Sequence, residues 1–198
     1  MLALTLPAEG RIVYTHAHEY IEPGAMIPLD VSHDEYPNFY FKDVRYHGST
    51  YSSACVLRID AAHHVNEIVG PPHRGTFGNA SALVYGEEVG PSDRFYSYNR
   101  RLAGEYANQG KFCFGQWCVT GSRFLGLKFI NIKGETHYGW ARLEVYHRLE
   151  PVTKVWAVLT GYAYETIPNK PIKAGQTHSG NETAPGTGTL GALARGAK

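Results

Sequence analysis

The sequence predicts an all-β protein: a two-sheet β-sandwich of jelly-roll character over residues 11–173, with extended segments at 1–10 and 174–198. Three observations carry this. The 14 Tyr and 22 Gly against 2 Met favour pleated surfaces and tight turns over a helical bundle. Apolar residues recurring with a helical period are nearly absent. Short alternating or β-rich runs instead follow one another between Gly- and Pro-bearing turns, the punctuation of a sandwich or jelly roll.

Taken in chain order, residues 1–10 read MLALTLPAEG, and Leu2, Leu4 and Leu6 share one face of an extended segment. Two readings are open: a strand donated to a neighbour, or the remnant of a secretory signal that lacks a basic start. Strands are expected near 11–15, 26–31, 38–46, 54–60, 64–69, 81–85, 111–119, 123–132, 135–148 and 154–166. The turns between them include Glu22-Pro23-Gly24, Gly70-Pro71-Pro72, Gly90-Pro91-Ser92 and Lys133-Gly134-Glu135. Asn99 to Tyr106 is the one place for a short helix. From Ala174 large side chains nearly vanish, so 174–198 reads as a tail, in which Leu190, Ala192 and Ala194 again alternate. At 198 residues the chain suits one domain with a real core. Its net charge of +1 gives no reason to expect a nucleic acid or an acidic membrane surface as partner. No run is long and apolar enough to cross a bilayer.

Four constellations carry chemistry. His16-Ala17-His18 places two imidazoles on one strand face, the start of a metal site and hence of a metal-dependent enzyme. A third ligand is missing. Glu19 points the other way unless the strand bulges, and His33, His47, His63, His64, His73, His137 and His147 have no diagnostic spacing. Asp30, Ser32, Asp34 and Asn38 stand at positions 1, 3, 5 and 9 of a calcium-type loop. Glu35 replaces its turn glycine and Phe41 its closing acid, so no cofactor is expected beyond a weakly held calcium, and a plain polar turn is the competing reading. The stretch GETHYGWARLEVYHRL alternates most clearly. Ala141, Leu143 and Val145 suit a core, while Tyr138, Trp140, Arg142, Glu144 and Tyr146 form an aromatic and charged stripe. Such a stripe stacks on sugar rings, anchors a protein partner, or pairs across strands with Trp156, Tyr162 and Tyr164. Of the three cysteines, Cys113 and Cys118 bracket a four-residue turn and are placed for a disulfide, two reduced thiols being the alternative.

Three stretches, FLGLKFINIKGETHYGWARLEV, VLTGYAYETIPNKPIKAGQ and TLGALARGA, resemble a family of bacterial exported proteins with a C-terminal sorting tail of the PEP-CTERM kind. The opening RIVYTHAHEYIEPGAMIPLDVSHDEYPNFYF is similar to the first strands of that family, where Thr-Pro-Ala-His commonly stands in place of Thr15-His16-Ala17-His18. The likeness covers residues 11–46 and 124–176. It departs at Pro185, which sits in TAPGTG instead of Val-Pro-Glu-Pro. No apolar span follows, and the terminal basic cluster is reduced to Arg195 and Lys198. The resemblance implies export, a place at the cell surface or in the extracellular matrix, and no assigned enzymatic activity.

The function expected from all this is structural and non-enzymatic: self-assembly into an oligomer or filament by terminal strand donation, through Leu2, Leu4, Leu6 and Leu190. A carbohydrate-binding module using Tyr138, Trp140, Arg142 and Tyr146 is the first alternative, with an extracellular polysaccharide as partner. A metal-dependent enzyme is the second.

Overall fold

Two antiparallel sheets face one another in the computed structural model, which describes residues 10–46, 54–71, 78–106, 113–119, 121–148 and 154–179. The strands are β1 (Ile12–Ile21), β2 (Met26–Leu29), β3 (Phe39–Tyr46), β4 (Ala54–Ala61), β5 (Glu67–Val69), β6 (Glu88–Val89) and β7 (Phe95–Tyr96). They continue with β8 (Arg100–Tyr106), β9 (Cys113–Phe114), β10 (Ser122–Ile130), β11 (Thr136–Arg148), β12 (Lys154–Glu165) and β13 (Ile172–Lys173). One sheet runs β1-β12-β11-β10-β5-β7 and the other β2-β3-β4-β8-β9. The chain passes repeatedly from sheet to sheet, which gives the sandwich its jelly-roll character. Among the described residues no helix is long and apolar enough to cross a membrane.

Period-two patterning builds the core. Phe39, Phe41, Leu57, Ile59 and Leu102 of the five-stranded sheet meet Leu125, Leu127, Phe129, Leu143, Val155 and Leu159 of the six-stranded sheet. The β10–β11 hairpin forms where the sequence predicts its turn. Asn131 Oδ1 accepts from the N–H groups of Lys133 and Glu135, and Gly134 takes the positive φ of 79° that the turn needs.

The six-stranded sheet has a second covered layer. The ribbon of β6 and β13 lies over its outer face, and Ile12, Val69, Val89, Phe124, Tyr138, Trp140, Ala163, Ile172 and Ala174 form an apolar cluster beneath it. Three expectations change here. The domain does not end at 173. Ala174 is buried and exchanges backbone hydrogen bonds with Gly86 and Glu87, Trp140 Nε1 donates to the Gln176 carbonyl, and Ser179 bonds to Gly10. Residues 81–85 form a loop with one bridge, Leu83 to Phe124, in place of a strand. Arg100–Tyr106 is strand β8, with no helix, because it fills the sheet between β4 and β9. Leu2, Leu4, Leu6 and Leu190 lie outside the described residues.

Candidate functional site

The edge of the sandwich where β1 and β2 lie holds a cleft of about 550 Å³, lined by Thr15–Glu19, Ile27–Asp30, Leu159 and Tyr162. It exists because each sheet ends there. β1 and β2 are edge strands of opposite sheets, joined through the turn after Ile21, and nothing among the described residues pairs with the outer side of β1. Ala17, Ile27, Leu159 and Tyr162 give the cleft an apolar floor continuous with the core. Burial pushes the Tyr162 phenol above its usual range.

A β-bulge shapes the opening. The register on β12 steps past Thr160, so that His16 faces Gly161 and Glu19 faces Leu159, and the β11 register steps at the same place. Arg142 fixes the bulge: Nε donates to Thr160 Oγ1 at 2.7 Å and Nη2 to the Thr160 carbonyl at 3.2 Å. The sequence carries one signal for it, Gly161, a glycine in the interior of the β12 run directly beside Thr160. His16 and His18 flank Ala17 in the bulged stretch, and both are exposed. His18 Nε2 lies 3.3 Å from the Tyr20 hydroxyl. No third His, Cys, Asp or Glu joins them: among the described residues the only such group is Glu105, Cys113 and His147.

The calcium-type loop closes one end of the cleft, but its oxygens are spent on its own backbone. Asp30 Oδ1 accepts from the His33 N–H at 2.8 Å and Oδ2 from the Glu35 N–H at 2.8 Å, while Asn38 Oδ1 accepts from the Val31 N–H at 2.7 Å. Ser32 Oγ is 3.3 Å from Asp30 Oδ1 and 3.2 Å from Asn38 Oδ1. This is the arrangement of a polar turn anchored at both ends, and His33 and Glu35 accept positive φ to make it. The loop sets His33 over Tyr162, with Thr15 Oγ1 at 2.8 Å from His33 Nε2.

The aromatic stripe is divided. Tyr138 and Trp140 are 4% and 1% exposed under the ribbon, so their ring faces are closed to a sugar. Tyr146 is exposed, and it stacks on Trp156 at 5.5 Å, the cross-strand pairing allowed for by the sequence. Lys154 sits 5.2 Å from the Trp156 ring centre.

No family model, curated protein or solved structure matches the chain.

The end of the sandwich away from the cleft holds a second polar group. Arg45, Cys55, Glu105 and Cys113 stand in register across β3, β4, β8 and β9, with Asp43 two pairs further in. His147 of β11 completes it, its Nδ1 lying 3.0 Å from Glu105 Oε1. Cys113 and Cys118 are joined in a disulfide with their Cα atoms 5.8 Å apart. Burial pushes the carboxyls of Asp43 and Glu105 and the thiol of Cys55 upward. Residues so far apart in sequence meet only through strand register, and no spacing announces them.

Proposed function

We propose that the chain is a non-enzymatic structural module of the cell surface or extracellular matrix, which assembles by accepting an extended segment of a second copy along β1 and into the cleft. The observation that carries this reading is the open edge itself. β1 runs for ten residues with one side unpaired among the described residues, beside an apolar-floored cleft between the sheets. Such an edge is a template for strand addition, in which main-chain hydrogen bonds supply affinity and pockets for alternate side chains supply register. Leu2, Leu4 and Leu6 have the alternation that such pockets select.

The placement of the chain ends supports it. Ser179 Oγ donates to the Gly10 carbonyl at 2.7 Å and lies 3.3 Å from the Ile12 N–H, so Gly10 and Ser179 meet at one corner at the start of β1. A donated segment seats head to tail, and such a contact propagates unless the rotation closes. Extracellular placement rests on the resemblance and accords with the Cys113–Cys118 disulfide.

The test is size in solution and negative-stain microscopy of the full chain beside a variant lacking residues 1–7. The full chain is expected to form oligomers or filaments and the deletion a folded monomer. A full chain that stays monomeric at high concentration overturns the reading. Retained binding of one polysaccharide by that monomer would favour a carbohydrate-binding module instead.

A further inference from the structure

We infer that reduction of the Cys113–Cys118 disulfide opens a binding site for a thiophilic divalent cation, zinc above all, with Glu105, Cys113 and His147 as its protein ligands. This inference is independent of the assembly reading. A carboxylate oxygen, a sulfur and an imidazole nitrogen, from β8, β9 and β11, lie within 4.8 Å of one another. Zinc takes ligands of these three kinds at about 2.0–2.3 Å, so the corners of its tetrahedron stand roughly 3.3–3.8 Å apart. Glu105 and His147 are already as close as that, and Cys113 Sγ needs only a small inward step. The fourth corner is left to Cys118, five residues along the chain, or to water.

Glu105 is a second, separate observation pointing to a ligand. It is fully buried, and among the described residues its carboxylate oxygens have no hydrogen-bond donor apart from the His147 imidazole. A buried carboxylate with so few partners is costly to keep ionised. A bound cation relieves that cost. Strand pairing holds the Glu105 backbone between Cys55 and Cys113.

The disulfide is the gate. Bonded sulfur is a poor donor to zinc, whereas the thiolate is a strong one. Two external thiols supply two electrons and two protons, become a disulfide themselves, and leave Cys113 and Cys118 as thiols. Zinc then displaces the Cys113 proton to solvent, and the Glu105 and Cys113 charges balance the ion. An external disulfide reverses this: it takes up two electrons and two protons, one from Cys118 and one from solvent, is cleaved to two thiols, and the re-formed Cys113–Cys118 bond releases the ion. Cys113 and Cys118 are both partly exposed and the His147 side chain is 39% exposed, so reductant and metal have a route in.

The experiment titrates zinc against a chromophoric chelator in the full chain, once oxidised and once reduced with a phosphine that is then removed without air. The reduced chain is expected to bind one equivalent at least about 100-fold more tightly than the oxidised chain, with Glu105→Gln and His147→Ala each losing at least about tenfold. Cobalt in the same site should show a sulfur-to-metal charge-transfer band that is absent after oxidation. Cys118→Ala provides the Cys113 thiol without any reductant, and zinc should raise its melting temperature in a His147-dependent way. Equal affinity in both redox states, indifference to both ligand substitutions, or a reduced chain and a Cys118→Ala chain that bind no zinc would each overturn the site.

Discussion

Asp43 sits on the inward side of β3, where burial raises its carboxyl pKa from 3.8 to about 6 against the opposing pull of Arg45 and Lys154. The native state therefore holds this proton more tightly than the unfolded chain does. The stability it contributes is complete below pH 3.8 and is lost as the pH rises through about 6. Asp43→Asn, which is neutral at every pH, should melt higher than the parent at pH 8, by a stability gain of about 1–3 kcal/mol, and level with it near pH 3.5. Melting curves across that range decide, and an equal offset at both ends would mean the carboxyl's charge is irrelevant. Asp30 differs in that both of its side-chain oxygens accept backbone hydrogen bonds. Removing them in Asp30→Ala leaves the N–H groups of His33 and Glu35 without their acceptors and should cost about 1–3 kcal/mol. Because those oxygens serve the turn, millimolar calcium should move the parent's melting temperature by less than about 1 °C. A larger rise that disappears in Asp34→Ala would restore the calcium reading.

The ribbon of β6 and β13 is the element that most changes what the outer face can do. Trp140 is its main anchor. The indole meets Phe124 at 5.3 Å and Tyr14 at 5.9 Å, and Nε1 donates to Gln176. Trp140→Ala should cost about 3–5 kcal/mol and loosen residues 166–179, which limited proteolysis and hydrogen exchange would register there first. Proteolysis spread evenly over the domain would show that the ribbon and the sandwich open together. The same element marks the boundary of what the sequence discloses. Alternation told the faces of β11 apart, and Leu143 and Val145 are in the core as their spacing requires. It could not tell that the opposite face is also covered, because a strand of two residues has no period to detect and its partner lies over eighty residues away. Residues 99–106 read as a short helix in the sequence for a related reason. Two arginines in succession hide an alternation that only pairing with β4 and β9 makes visible. The cleft is half legible: His16, His18 and Asp30 stand out in the sequence for separate reasons, and the fold alone places them around one opening.

For the molecule as a whole, the open side of the sandwich is where the proposed assembly would take place. The edges are partly guarded: β1 is bulged opposite Thr160, and β2 is four residues long and contains Pro28. These devices discourage two copies from zipping β1 to β1 over its full length, yet they leave the cleft between the sheets open to a slim segment. Strand donation makes a positional prediction that indiscriminate sticking does not. If residues 1–7 of one copy enter the cleft of the next, Leu2, Leu4 and Leu6 face its floor while Ala3 and Thr5 face out. Cysteine placed at Ala17, on that floor, and singly at positions 2 to 6 should cross-link under mild oxidation at 2, 4 or 6 and not at 3 or 5. The resident cysteines interfere little, since Cys113 and Cys118 are bonded to each other and Cys55 is buried. The products should form a ladder of dimers, trimers and longer chains on a non-reducing gel. A cross-linked monomer would instead mean that the chain reverses at Gly10 and fills its own cleft. That outcome is sterically open, because nine extended residues reach about 30 Å, nearly the length of β1. It would turn the segment from a connector into a plug, and assembly would then require its release. Cross-links of equal yield at odd and even positions would remove strand donation altogether.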